Sequence, residues 1–190
     1  STVPEAWVGP GARVVGRLAG LTMEGRARML APDLRRVQGP EVPDRELERL
    51  VAGAFDSYGR YWFEAFRLPG RTMESIESRF TIDGRDRIDA ALERGHGVIL
   101  AMPHVGNWDL GGAWFCGAGY PVTVLVEALE PPKLGEWFFA FRRSLGMDVV
   151  PTGDGAARAL IAALRANRAV AIVGDRDLSR SGVEVTFFGE

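Results

Sequence analysis

The residue most able to do chemistry in this 190-residue chain is His104, which stands in the run Pro103-His104-Val105-Gly106-Asn107-Trp108-Asp109. An imidazole with one nitrogen held by a carboxylate has its tautomer fixed, and its other nitrogen is left to accept a proton. The nearest carboxylate in sequence is Asp109. On one ideal helix, residues five apart lie about 140° apart and face different ways. They meet only if His104 lies on a loop and Asp109 opens the following helix, a turn that Gly106 and Asn107 make easy. The bland alternative is a loop histidine whose aspartate only favours a helix start. Glu184, flanked by Val183 and Val185 in a strand-like pattern, is a second acid that either faces solvent or turns towards His104.

Other polar groups gather in a similar way. Asp175-Arg176-Asp177 is either a solvated cluster or an arginine clamp for a phosphate, steadied by its two acids. Arg142 and Arg143, late in the aromatic run Trp137–Phe141, read as surface charges with some capacity for an anionic head group. His96 lies between two glycines and reads as structural or exposed. Cys116 reads as a small core residue. With two histidines and one cysteine in the whole chain, a zinc site is not expected. The glycines form neither a Walker loop nor a dinucleotide fingerprint.

The elements that must position these residues follow from apolar periodicity. Residues 1–70 read as helical, most clearly from Asp44 to about Leu68, where Leu47, Leu50, Val51, Ala54, Phe55, Tyr58 and Trp62 recur at helical steps. The end of that helix is aromatic on more than one face, which suits either a wedge between two elements or an interfacial helix in lipid head groups. From residue 80, strands and helices alternate. Short apolar runs at 98–102, 121–126, 147–150 and 169–173 read as strands, with 183–187 as a fifth. Helical stretches lie at about 86–94, 109–116, 134–145 and 155–167. The run at 98–102 reads as buried on both faces. The expected fold is therefore α/β, a largely parallel central sheet flanked by helices, with a helical N-terminal region. One domain of residues 1–190 is expected, with its sheet continuing beyond residue 190. In such sheets ligands bind beyond the carboxyl ends of the strands. Those ends carry His104, Glu127, Asp154 and Asp175, while the strand interiors carry almost no ionisable groups.

Composition narrows the partners. The net charge of −2 argues against nucleic acid, although the positive charge is almost all arginine, Lys133 being the one lysine. Arginine suits phosphate and carboxylate recognition, and a GC-rich genome would produce the same bias. No apolar run approaches the roughly 20 residues that span a bilayer. The N-terminus carries no secretory pattern, and a single cysteine fits a reducing compartment. A soluble or peripheral, cytoplasmic protein is expected.

Taken together, these motifs resemble the bacterial lipid A acyltransferase family and its His-x4-Asp signature. The resemblance rests on Pro103–Asp109, Arg143-Ser144-Leu145-Gly146, Gly174–Asp177 and Phe187-Phe188-Gly189. Tyr58–Leu68 and Asp175–Val183 look most like the mycobacterial phosphatidylinositol mannoside branch. The resemblance implies transfer of a long acyl chain from acyl-CoA to a mannose hydroxyl of a phosphatidylinositol mannoside, at the cytoplasmic face of the plasma membrane. Acyl-CoA would be a co-substrate, and no resident cofactor or metal is implied. On this reading His104 is the general base, and Asp109 or Glu184 orients it. Arg176, Asn107, Trp108, Asp175 and Arg143 bind substrate. The Val105–Asn107 amides or Arg176 face the oxyanion, and Trp108, Trp114 and Phe115 line the acyl groove. Lipid A-type or lysophospholipid acylation are the near alternatives. A hydrolase holding Mg²⁺ on Asp109, Asp154, Asp175 and Asp177 is a more distant one.

Overall fold

A computed structural model of the chain describes residues 24–175 and 183–188. Its compact packing divides into two units, and residues 67–175 belong to one of them. Residues 24–66 and 183–188 belong to the other.

In this second unit, helices α1 (Glu24–Gln38) and α2 (Asp44–Arg67) meet at a tight corner. Arg35 fixes that corner: one guanidinium nitrogen donates to the Val42 carbonyl at 3.1 Å, and the other reaches Asp44 at 2.6 Å. Asp44 and Glu46 in the first turn of α2 suit the positive end of its dipole. Along α2, the Tyr58, Trp62 and Phe66 rings contact one another in series at 5.9 and 5.6 Å, as side chains four apart do on a helix. The outer two are about half exposed.

The other unit carries the sheet. After α3 (Met73–Glu77) and α4 (Arg85–Glu93) come β1 (Val98–Met102), α5 (Trp108–Gly117), β2 (Val122–Val126), α6 (Pro132–Ser144), β3 (Asp148–Pro151), α7 (Ala156–Arg165) and β4 (Ala169–Val173). All four strands are parallel, in the order β1-β4-β2-β3. The expected α/β class and helical N-terminal region are thus present. The first four strands and the four helices between residues 85 and 165 lie within a few residues of where periodicity puts them. The short α3 was not legible in the sequence; Thr72 caps it by accepting from the Ser75 amide.

Two expectations fail. Strand β1 is not buried on both faces: it alternates half-buried and exposed residues, and Ile99 is 55% exposed. It lies at one edge of the described sheet, so its apolar side chains lack the neighbours that bury β4, where Ala169 and Val170 are fully enclosed. The segment 183–188 forms no strand, and Val183, Glu184, Val185 and Phe187 are all exposed. An alternating pattern holds a strand only where a partner pairs its backbone and one face is buried, and among the described residues this segment has neither.

One buried apolar cluster joins Ile76, Ala113 and Trp114 with Phe80, Leu110, Phe115 and Tyr120. Phe80 lies 5.1 Å from the Trp114 ring, and Arg85 rests over both Trp114 and Tyr120 at 5.4 Å. Arg85 also donates to the Tyr120 hydroxyl at 2.7 Å, which in turn donates to Asp89. That fastens α4 to the turn between α5 and β2. Burial and the Asp89 hydrogen bond raise the Tyr120 phenol above its ordinary value.

Candidate active site

Parallel register is what assembles the site. Met102 on β1 pairs with Val173 on β4, and the ladder runs on as the Gly174 amide donates to the Met102 carbonyl at 3.0 Å. Two places further along both chains, His104 lies opposite Asp175. One carboxylate oxygen of Asp175 accepts from the His104 backbone amide at 2.8 Å, and the other lies 2.5 Å from the ring Nδ1. The carboxylate therefore grips backbone and imidazole together. Those two hydrogen bonds from His104, the backbone one first, hold the Asp175 carboxyl below its ordinary range. Both side chains are partly open to solvent, 35% and 41% exposed.

The loop is shaped to present the ring. The Val105 amide donates to the Pro103 carbonyl at 2.8 Å, a three-residue turn with His104 at its apex. Gly106 follows in the left-handed region, at φ +70°. Asn107 then caps α5, its side-chain oxygen accepting from the Leu110 amide at 3.0 Å. Trp108, the first residue of α5, sets its ring nearly perpendicular to the His104 ring, at 84° with centroids 5.3 Å apart. Nδ1 is thus engaged, and Nε2 has no hydrogen-bond partner among the described residues.

The structure pairs His104 with Asp175 and not with Asp109. Asp109 is 1% exposed, and the Arg142 guanidinium of α6 holds it side-on, Nε to Oδ1 at 2.8 Å and Nη2 to Oδ2 at 3.5 Å. Arg142 is itself largely covered, 12% exposed, and lies over the Phe138 ring. The expected surface charge is therefore a buried clamp between α5 and α6. Asp109 sits in the second position of α5, its side chain buried and turned to Arg142. The carboxylate on the imidazole comes instead from 71 residues along the chain.

The remaining candidates divide plainly. Asp175 joins His104 rather than standing as a solvated charge. Arg176 and Asp177 lie outside the described residues. Glu184 is exposed in a segment without strand structure, and Arg143 is exposed. Trp114 is 5% exposed and belongs to the core cluster, not to a groove. Six positions along α5 separate it from Trp108, which puts the two about 120° apart around the helix. Among the described residues, no three His, Cys, Asp or Glu side chains gather as a metal ion requires. Two acids of the Mg²⁺ alternative, Asp109 and Asp175, are held instead by Arg142 and His104.

Comparison with known proteins bears on this geometry. The model of the bacterial lipid A biosynthesis acyltransferase family matches residues 1–190. The chain belongs to that family. Among its relatives, the phosphatidylinositol mannoside acyltransferase of Mycobacterium tuberculosis (strain CDC 1551 / Oshkosh) is 41% identical over 174 residues, 87% of this chain and 54% of that protein. The phosphatidylinositol mannoside acyltransferase of Mycolicibacterium smegmatis is 37% identical over 198 residues, 99% of this chain and 62% of that protein. The chain thus spans between half and two thirds of the length of these two family members. No helix among the described residues is long and apolar enough to cross a membrane.

Proposed function

We propose that the protein transfers an acyl group to a sugar hydroxyl of a glycolipid, with His104 as general base and Asp175 as the residue that positions it. The observation that carries this reading is the Asp175 carboxylate on Nδ1, which leaves Nε2 of an exposed, strand-end imidazole free to take a proton. The names of the relatives point to a phosphatidylinositol mannoside as acceptor. The donor is acyl-CoA, entering as co-substrate, and the work is done at the cytoplasmic face of the membrane by a peripheral protein.

In this mechanism Nδ1–H donates to Asp175, and Nε2 draws the proton from the acceptor hydroxyl as that oxygen attacks the thioester carbonyl. General base catalysis of this kind contributes roughly 10²–10⁴-fold. Asp175 stabilises the imidazolium that forms, as a carboxylate on the far nitrogen does in hydrolytic triads. The perpendicular Trp108 ring helps keep the imidazole in the plane that Asp175 sets. Asp109 and Arg142 have a different part: they hold the start of α5, and so the loop before it, at a fixed place over the sheet. Arg143, Arg176 and the Asn107 side are the candidates for holding the acceptor.

The test is transfer of a labelled palmitoyl group from acyl-CoA to a purified phosphatidylinositol mannoside, with the parent and with His104→Ala. The parent transfers label; the variant folds and retains under a hundredth of the rate. A variant that keeps more than a tenth would remove His104 as the base. A parent that transfers to lysophospholipid and not to the mannoside would move the acceptor.

A further inference from the structure

Three helices leave the carboxyl ends of described strands: α5 after β1, α6 after β2 and α7 after β3. Pro131 precedes α6 and Gly155 precedes α7, and neither gives its helix a side-chain cap. Of the three, α5 alone has one, and α5 is the helix that follows His104. The Asn107 carboxamide oxygen accepts from the Leu110 amide at 3.0 Å, and the Asn107 carbonyl accepts from the Gly111 amide at 3.3 Å. Asparagine is among the residues best suited to that place.

The cap closes the second end of a short loop. At the first end the His104 amide is held by Asp175, two residues past β4, at 2.8 Å. Beyond the second end, Asp109 is fixed by Arg142. Val105 and Gly106 are exposed, and the chain becomes half-buried at Asn107. The imidazole therefore stands on a loop with two anchors and two residues between them. One of those two is Gly106, at φ +70°, a residue whose backbone turns at little steric cost. A rotation at Asn107 would pass through it to the His104 turn, and the carboxamide cap is what opposes that rotation.

Resting on the acyl-transfer reading above, we infer that Asn107 is a positioning residue for the base: its side-chain oxygen, by capping α5, sets the place of the His104 ring. The family resemblance implies instead that Asn107 binds substrate. The two roles fall to different atoms of one carboxamide. Positioning needs the oxygen, which accepts from Leu110. A hydrogen bond donated to a substrate oxygen needs the nitrogen. A residue that only places the base acts on the chemical step, so its loss lowers kcat and leaves substrate affinity alone.

The experiment separates the two atoms. Asn107→Asp and Asn107→Ser keep an oxygen that can cap and lose the amide nitrogen, whereas Asn107→Ala loses both. At a temperature where all are folded, kcat should fall roughly 10–10²-fold in Asn107→Ala, with KM for acyl-CoA and for the mannoside within about twofold. The Asp and Ser variants should stay within about threefold of the parent in both constants. Asp and Ser variants that fall as far as Ala, or that raise KM for the mannoside as Ala does, overturn the inference in favour of substrate contact. An Ala variant as fast as the parent overturns it as well. A second measurement reads the ring itself. The Nδ1 proton of His104, bonded to Asp175 in the parent, should shift upfield in Asn107→Ala and hold its place in Asn107→Ser. A resonance unmoved in the Ala variant overturns the inference. If the parent transfers acyl groups and His104→Ala does not, a contrary result at Asn107 removes the positioning role alone. If the parent transfers none, the acyl-transfer reading falls, and the ring resonance still reports whether the cap places His104.

Discussion

The two ends of the sheet handle polar groups in opposite ways. At the amino ends of the strands, every named group is answered by another. Asn167, in the left-handed region after α7, accepts from the Gly97 amide at 2.9 Å and donates to the Leu92 carbonyl at 3.0 Å. Arg168 beside it donates to Thr123 and to the Val122 carbonyl, and pairs with Asp148 at 2.6 Å. At the carboxyl ends the groups are only partly answered: among the described residues, one ring nitrogen of His104 is held and the other has no partner. Saturated polar groups make structure, and groups with capacity left over are available to a substrate.

The same contrast separates two aspartates that sequence cannot tell apart. Asp109 is enclosed and bonded to a buried arginine, whereas Asp175 is open and bonded to a half-exposed histidine. If the contrast is right, removing each breaks something different.

The largest effect is expected at His104, where alanine costs transfer at least a hundredfold while the melting temperature stays within a few degrees. Next come Asp109→Ala and Arg142→Ala. Each leaves an uncompensated buried charge and should destabilise by about 3–5 kcal/mol in denaturant titration. Replacing both partners by apolar residues of similar volume should recover much of that loss. If Asp109→Ala is as stable as the parent and inactive, the division between brace and site collapses.

At the other end of the sheet, Asn167→Ala should cost roughly 1–3 kcal/mol through strain in the left-handed region and two lost hydrogen bonds. Asn167→Gly should cost less, since it keeps the backbone conformation. Neither should alter kcat at a temperature where the variant is folded, and a tenfold fall would show that the two ends are not separate in function.

The smallest expected effect concerns acid. Hydrogen bonds from His104 hold the Asp175 carboxyl below its ordinary 3.8 in the folded protein. A carboxyl lowered on folding stabilises the native state above its unfolded value, and that contribution fades as pH falls through the folded value. Between pH 7 and pH 5, then, Asp175 stays charged and its contribution is intact. A ¹³C titration of the aspartate carboxyls should put the Asp175 midpoint below the ordinary aspartate value of 3.8. A midpoint at or above that value would mean that the pair does not form in solution.

Much of this was legible in residue pattern alone. Apolar runs such as Val98–Met102 and Ala169–Val173 mark strands because a parallel sheet demands side chains that bury and backbones that pair. The place of His104 at a strand end follows from the same pattern. What could not be read was strand order. The acid that reaches His104 depends on β4 lying next to β1, and that adjacency depends on the whole packing of α5, α6 and α7 around the sheet. Once β1 and β4 are neighbours, the offset that pairs Met102 with Val173 also pairs His104 with Asp175. Local spacing favoured Asp109 because it is near in sequence, and helix geometry turned it towards Arg142. Val183–Phe187 shows the opposite error, a strand-like pattern with no partner to make it one.

The account depends most directly on Asp175 acting through the histidine ring. Asp175→Asn should lower kcat by at least about 10²-fold with KM little changed and the fold intact, because the amide can hold the ring but cannot favour the charged imidazole. A variant that transfers acyl groups at the parental rate would contradict it.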